Sequence, residues 1–369
     1  MQSDPDAISN DTETPGGKPS GVNSGTGARR RRFGWIRRRP RTALASFVLF
    51  VFLLLNTLAF VHAYSMTHFV SGGARTPRPD QLSRMAKVGV LFTGVNLARP
   101  NNTMTPATFN LTYYTHRYRG PDGTEYEAWH VPADGPPWRR SRGVCLLFPG
   151  YAGCKATVLR EAQIVHEAGY DAFLVDFRGC GGSSGSVTTV GYREADDVAD
   201  AVNHVRETLH PKQTIIYGRS MGAAAALRAV ALGKAKPDAL ILESPFDRML
   251  TTIDHRFELM GVPKFPLSPL LVFWGGVQQG YWAFSHNPVE YAKSVKCPTL
   301  YIRAGRDPFV HKDEAESVFS RLAGPKQMLV FEQAGHQACS YVDRRKFAGA
   351  LTDFLLAAPR GAVARGAGR

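Results

Sequence analysis

Cysteine is scarce in these 369 residues. The five present (Cys145, Cys154, Cys180, Cys297 and Cys339) include no Cys-x-x-Cys pair, which argues against a structural zinc site. No Gly-Lys-Ser or Gly-Lys-Thr closes any of the glycine-rich stretches, so a phosphate-cradling P-loop is excluded. No internal repeat is visible, which argues against a solenoid or propeller. Acidic residues are outnumbered, 31 Asp and Glu against 45 Lys and Arg, for a formal net charge of +14.

That charge is unevenly placed. Residues 1–41 carry a net +5, with Arg29–Arg32 and Arg37–Arg41 the densest runs, and the last ten residues add three arginines. A basic balance can signal nucleic acid, but here the arginines abut a segment with no Asp, Glu, Lys or Arg at all, Ala43 to Tyr64. As a helix this segment is about 33 Å long, enough to cross a hydrocarbon core of roughly 30 Å. A membrane partner is therefore expected, and no nucleic acid. The arginine bias places residues 1–41 in the cytosol and the rest on the extracytoplasmic or lumenal side. A cleaved signal peptide is the alternative, since Val61-His62-Ala63 has the small-x-small form, but the leader and the apolar run are both long for one. Residues 1–28, rich in Ser, Gly, Pro, Thr and Asp, and the tail 359–369 are expected to be disordered. If the domain is exported, a disulfide is permitted but not required, and Asn101 and Asn110 stand in Asn-x-Thr sequons.

Residues 65–107, broken by Pro77, Pro79, Pro100 and Pro106, read as a stalk-like lead-in. From 108 a regular pattern begins. Residues 108–133 suggest a hairpin closed by Gly-Pro-Asp-Gly. Val144 to Phe148 is all apolar and reads as a strand buried on both faces. Strands and helices then alternate. A helix over 157–167 precedes Ala-Phe-Leu-Val-Asp-Phe, and a helix over 193–208 follows with Ala195, Val198, Val202 and Val205 on one stripe. The strand Thr-Ile-Ile-Tyr-Gly precedes a helix over 221–232, then the strand Ala239 to Glu243. Thr299 to Ala304, a helix over 312–322, a strand over 327–332 and a helix over 344–357 complete the pattern. Such a succession implies a mostly parallel sheet with helices on both faces. The stretch 247–292, with Trp274, Trp282 and Gly275-Gly276, is too long for a loop and too apolar for a linker. It reads as a small cap over the sheet.

Ser220 stands in Gly-Arg-Ser-Met-Gly, where a strand ends and a helix begins, the context that makes Gly-x-Ser-x-Gly informative. Side chains at Gly218 and Gly222 would clash across so sharp a turn. The positive end of the following helix favours developing negative charge at the serine. A serine hydroxyl needs a base, and the base an orienting carboxylate. Asp307 and His336 each follow directly on a strand, at the edge that carries Ser220 and where open α/β sheets bind ligands. His130, His166, His204, His210 and His311 fall on strands or helices and compete poorly. Asp247 is the rival acid, with a turn or cap role as its alternative, and Asp176 is expected to hold its own loop. The oxyanion donors expected are the backbone amides of Met221, next to the nucleophile, and Tyr151, in the Pro149–Gly153 loop. Asp176–Gly185 reads as a rim of the pocket. This chemistry needs no metal and no organic cofactor.

Residues 108–358 resemble the α/β-hydrolase superfamily. They resemble especially the single-pass membrane-anchored α/β-hydrolase-domain serine hydrolases, through Phe-Pro-Gly-Tyr-Ala-Gly, Asp-Phe-Arg-Gly-Cys-Gly-Gly-Ser-Ser-Gly, Gly-Arg-Ser-Met-Gly, Glu-Ser-Pro-Phe and Ala-Gly-His blocks. The resemblance implies an α/β-hydrolase fold with a small cap, preceded by one transmembrane helix over 42–64. It also implies action on lipid esters, lysophospholipids or acyl thioesters. Pro149 replaces a histidine many members carry, and Ala304 a common glycine. In this fold the strands preceding Cys154 and Cys180 are neighbours, so the resemblance permits a Cys154–Cys180 disulfide, with free buried thiols as the alternative. The expected function is hydrolysis of carboxylic esters or thioesters through a Ser-His-Asp triad and an acyl-enzyme. A serine peptidase of the same fold and a non-catalytic scaffold are the alternatives. Acyl-chain length, head group and oligomeric state stay open.

Overall fold

The computed structural model describes residues 40–134 and 141–358. The leader and tail expected to be disordered lie outside the described residues, apart from the last two of residues 1–41. The chain divides into two units, 1–54 and 55–369. Helix α1 (Pro40–Thr67) spans their boundary. In its first half Leu44, Phe47, Leu49, Phe50 and Phe52 are exposed, as a lipid-facing helix requires. Among the described residues α1 is the one helix long and apolar enough to cross a membrane.

The second unit is built on eight strands: β1 (Tyr114–Arg119), β2 (Glu125–Val131), β3 (Val144–Phe148), β4 (Asp171–Val175), β5 (Thr214–Arg219), β6 (Ala239–Glu243), β7 (Thr299–Ala304) and β8 (Lys326–Phe331). Their order in the sheet is β1-β2-β4-β3-β5-β6-β7-β8. β2 pairs antiparallel with β1 and β4, and all other pairs are parallel. Every residue of β3 and β6 is buried, which explains why β3 is wholly apolar and β6 is apolar up to its terminal Glu243: helices cover both faces. Side chains alternate between the two layers. Leu146 and Phe148 meet α4 (Glu194–Leu209) and α5 (Met221–Ala231), where Val198, Val202, Val205 and the alanines of α5 are buried. Cys145 and Leu147 meet α3 (Leu159–Glu167) and α10 (Arg344–Ala357), through Ile164, Phe347 and Leu351.

The first strand starts later than its β-rich sequence suggests. Pro106–Phe109 forms a tight 3-10 turn closed by reciprocal Thr105 and Thr108 bonds, and the strand begins only at Tyr114. Likewise Lys155–Val158 makes a 3-10 turn before α3. The segment read as a stalk holds a helix, α2 (Arg84–Thr93), capped by the Ser83 hydroxyl. It also lies against the domain. Phe69 and Leu97 are buried with Ala152 and Cys180, the Phe69 amide donates to Ser186 O at 2.7 Å, and Arg99 donates to the carbonyls of Gly185 and Ser183. Apolar side chains at 69 and 97 supply the burial that a free stalk would lack.

Between β6 and β7 the chain forms α6 (Met249–Met260), α7 (Leu267–Gln279) and the short α8 (Pro288–Tyr291). Helix α9 (Lys312–Arg321) follows β7. α6 places Thr252 and Arg256 in the wall of the pocket that holds Ser220.

Candidate active site

Parallel register brings the carboxyl ends of the central strands to one edge. Gly218 pairs with Phe148 on one side and Leu242 on the other, and Arg219 pairs with Glu243. Ser220 follows at once with φ 51° and ψ −114°, a left-handed backbone that costs a non-glycine residue on the order of 1–3 kcal/mol. The surroundings hold it there: its N–H donates to Glu243 O at 2.7 Å, and its carbonyl accepts from Ala224 N at 3.0 Å. The flanking glycines are required by contact distances. A Cβ at Gly218 would lie 2.6 Å from Ala223 N, and one at Gly222 would lie 2.5 Å from Phe148 O.

Ser220 Oγ is 3.0 Å from His336 Nε2, and His336 Nδ1 is 2.7 Å from Asp307 Oδ2. An ionised carboxylate only accepts, so Nδ1 carries the proton and Nε2 is left to accept from the serine hydroxyl. The other oxygen of Asp307 accepts the amides of Phe309 (2.9 Å) and Val310 (3.1 Å). The Asp307 side chain is 1% exposed, so water does not compete for it. The Phe309 ring meets the imidazole edge-on, centroids 5.2 Å apart. The His336 carbonyl accepts from Arg219.

Asp247 lies apart from this chain of bonds. Its carboxylate accepts the Thr251 hydroxyl one helical turn on, and its carbonyl accepts Val289 N, the turn and cap role considered above. Asp176 holds its loop: it accepts Lys155 N (2.7 Å), Gly182 N (2.9 Å) and Asn102 Nδ2 (2.8 Å) and pairs with the buried Lys155 ammonium. Tyr151 and Met221 line the same pocket as Ser220 and His336, and neither backbone amide has a protein acceptor among the described residues. The Tyr151 hydroxyl donates to Met66 O, and burial pushes its pKa up to about 12. Cys154 and Cys180 are free thiols, and Cys154 Sγ donates to Asn101 O instead. Burial raises the pKa of both, that of Cys154 to about 11.

Two residues at the site escape sequence reasoning. Arg256 of α6 lines the pocket with Ser220, His336 and Phe309. Its Nη1 donates to Thr252 O and Oγ1, both at 2.7 Å, and no carboxylate pairs with it among the described residues. Burial lowers its pKa, opposed by Tyr151 and Asp307. Glu243 is fully enclosed and accepts the Cys339 amide at 2.8 Å and the Tyr217 hydroxyl, joining the serine turn to the loop that carries His336. Its motif, Glu-Ser-Pro-Phe, was the available signal. For Arg256 there was none.

A family model described as serine aminopeptidase, S33, matches residues 139–262. Another, described as PhoPQ-activated pathogenicity-related protein, matches residues 283–356. The chain is similar to the uncharacterized protein YqkD of Bacillus subtilis (strain 168), 26% identical over 209 residues, 55% of this chain and 68% of that one. It is similar to lysophosphatidylserine lipase ABHD12 of Danio rerio, 25% identical over 261 residues, 63% of this chain and 64% of that one. The esterase Pf2001 of Pyrococcus furiosus shares its fold with a TM-score of 0.59 at 20% identity, over 71% of this chain and 99% of that one. With the strand order and the serine turn described above, these likenesses give the chain the α/β-hydrolase fold and support a hydrolase similar to members of that superfamily.

Proposed function

We propose that the chain is a membrane-anchored serine hydrolase that cleaves carboxylic esters or thioesters of lipid-like acyl groups. Residues 108–358 form its catalytic domain, with 247–292 as the cap. The observation that carries this reading is the unbroken run of hydrogen bonds from Ser220 through His336 to Asp307. Ser220 Oγ attacks the acyl carbonyl as His336 Nε2 takes its proton, and Asp307 orients the ring and stabilises its cation. The amides of Met221 and Tyr151 hold the oxyanion, each donor contributing roughly 10²–10³-fold in rate. Collapse expels the leaving alcohol or thiol, which receives the proton from His336. Water, deprotonated by the same nitrogen, then hydrolyses the acyl-enzyme and restores the serine.

The lipid-like substrate is supported by the apolar cavity beside the pocket and by the lysophosphatidylserine lipase activity named for the Danio rerio relative. Anchoring through α1 keeps the site near its substrate. The arginine bias gives a cytoplasmic N-terminus and an extracytoplasmic or lumenal catalytic domain, an orientation that protease protection of the leader in closed vesicles checks. The aminopeptidase description of one family model favours a second reading, a serine peptidase. It fares worse on charge: the pocket wall carries the Arg256 cation and no carboxylate, so a peptide ammonium would be repelled. Ser220→Ala is expected to abolish labelling by a fluorophosphonate probe, and labelling equal to the parent chain would overturn the assignment.

A further inference from the structure

A cavity of about 60 Å³ adjoins the pocket around Ser220. Tyr151, Val190, Thr252 and Arg256 line both, so the two spaces share a neck. Beyond the neck the walls are apolar: Ile253 of α6, Leu271, Val272 and Gly275 of α7, and Ala63 and Met66 of α1. Apart from Arg256 no charged side chain lines the cavity. A space with apolar walls and one polar end, opening on a nucleophile, matches a hydrocarbon chain that ends in a carbonyl.

The contribution of α1 is built in. Its second half is bonded to α7 along its length: Trp274 Nε1 donates to Asn56 Oδ1 at 3.1 Å, and Gln278 Nε2 to Phe60 O at 2.8 Å. The Phe60 and Trp274 rings meet edge-on. The Tyr151 hydroxyl, from the loop that supplies an oxyanion amide, donates to Met66 O. Ala59 and Ala63 are buried, and a Cβ at Gly275 would approach no atom closer than Ala63 Cβ, at 4.0 Å. The small side chains on the facing helices leave the space between them.

We propose that the last turns of α1 form one wall of an acyl-chain site, so that this helix selects chain length as well as tethering the enzyme. The inference rests on the hydrolase reading above. An acyl chain esterified at Ser220 passes the Tyr151–Thr252 neck and lies along Ala63 and Met66.

The test uses the full chain in detergent micelles and compares kcat/KM for p-nitrophenyl hexanoate with that for the acetate. Ala63→Phe and, from the opposite wall, Gly275→Leu both fill the cavity. Each is expected to lower the hexanoate-to-acetate ratio by roughly 10- to 100-fold, since each excluded methylene in an apolar pocket is worth about tenfold or more. The second variant keeps the test intact if the first misfolds, because leucine improves on glycine inside a helix. An active parent chain whose ratio is unchanged in both variants overturns the acyl-site assignment alone. A parent chain that neither labels with fluorophosphonate nor turns over acetate overturns the hydrolase reading and this inference with it.

Discussion

The Glu243 carboxylate accepts the backbone N–H of Cys339 at 2.8 Å, three residues past His336, while the Glu243 carbonyl accepts the N–H of Ser220 at 2.7 Å. One buried residue thus spans the proposed nucleophile and the loop of its base without touching a reacting atom. Glu243 is therefore a positioning residue. Its replacement by Ala strands the Cys339 amide and the Tyr217 hydroxyl, which also binds the carboxylate, and an orphaned buried donor costs on the order of 1–3 kcal/mol. A displacement of about 1 Å at His336 lowers the rate by roughly 100-fold. Glu243→Ala is expected to lower kcat on a short ester by about that factor with little change in KM. Glu243→Gln, which keeps one acceptor, should recover part of the loss. Kinetics of both variants indistinguishable from the parent chain would remove Glu243 from this role.

Arg256 brings a positive charge to the pocket that no carboxylate neutralises within it. The prediction concerns substrate charge. Arg256→Met should lower kcat/KM on an ester whose leaving group carries a carboxylate by roughly 10- to 100-fold, the range of a charge-assisted hydrogen bond. A neutral ester of the same shape should change far less, and an aminoacyl ester should improve. Steady-state kinetics on the three substrates check the ordering. Equal losses on all three would leave Arg256 with a packing role.

Helix α6 is joined to α9 by a titratable contact. His255 Nε2 of α6 lies 2.7 Å from Glu314 Oε1 of α9, its Nδ1 lies 3.4 Å from Glu258, which pairs with Lys264, and its ring lies 3.7 Å from that of His311. The bond to Glu314 raises the His255 pKa, against burial, which lowers it. A raised folded-state value means that the protonated ring stabilises fully below about pH 6.5 and that this contribution is lost as pH climbs through the raised value. Between about pH 6 and pH 8 the parent chain should lose about 1–3 °C more in Tm than His255→Gln. Differential scanning calorimetry of the two proteins decides it, and parallel curves would show that the contact does not couple to folding.

The alternation of apolar strands with striped helices was legible residue by residue, because central strands buried on both faces carry runs such as Val144 to Phe148. The strand ends holding Ser220, Asp307 and His336 followed from that alternation, and the structure brings these side chains within hydrogen-bonding reach. What was not legible depends on partners distant in the chain. Phe69 and Leu97 look like stray apolar residues among prolines until Ala152 and Cys180 are beside them. The β-rich run from 108 is overruled at Pro106–Phe109 by a local cap between Thr105 and Thr108. Arg256 is one more charge on a helix unless the position of α6 against the pocket is known.

Glycine separates the turn's requirements from mere tolerance. A Cβ at Gly222 would lie 2.5 Å from Phe148 O and 2.6 Å from Pro149 O, both backbone atoms that cannot rotate away. The segment that would have to move is the end of β3 and the loop carrying Tyr151, so the clash acts on the proposed oxyanion amide as well as on the serine turn. Gly222→Ala should therefore cost about 1–3 kcal/mol in stability, as overpacking does, and slow fluorophosphonate labelling by roughly 100-fold. Gly349 supplies the contrast: it is exposed in the interior of α10, and a Cβ there would meet no atom within 4 Å. Gly349→Ala should add roughly 0.5–1 kcal/mol to stability, the helix-propensity difference, and leave labelling unchanged. Urea unfolding with labelling rates on the same two samples tests both. A Gly222→Ala protein that labels at the parent rate would mean that the β3 loop yields freely, and a Tyr151 amide in so yielding a loop would not be a preorganised oxyanion donor.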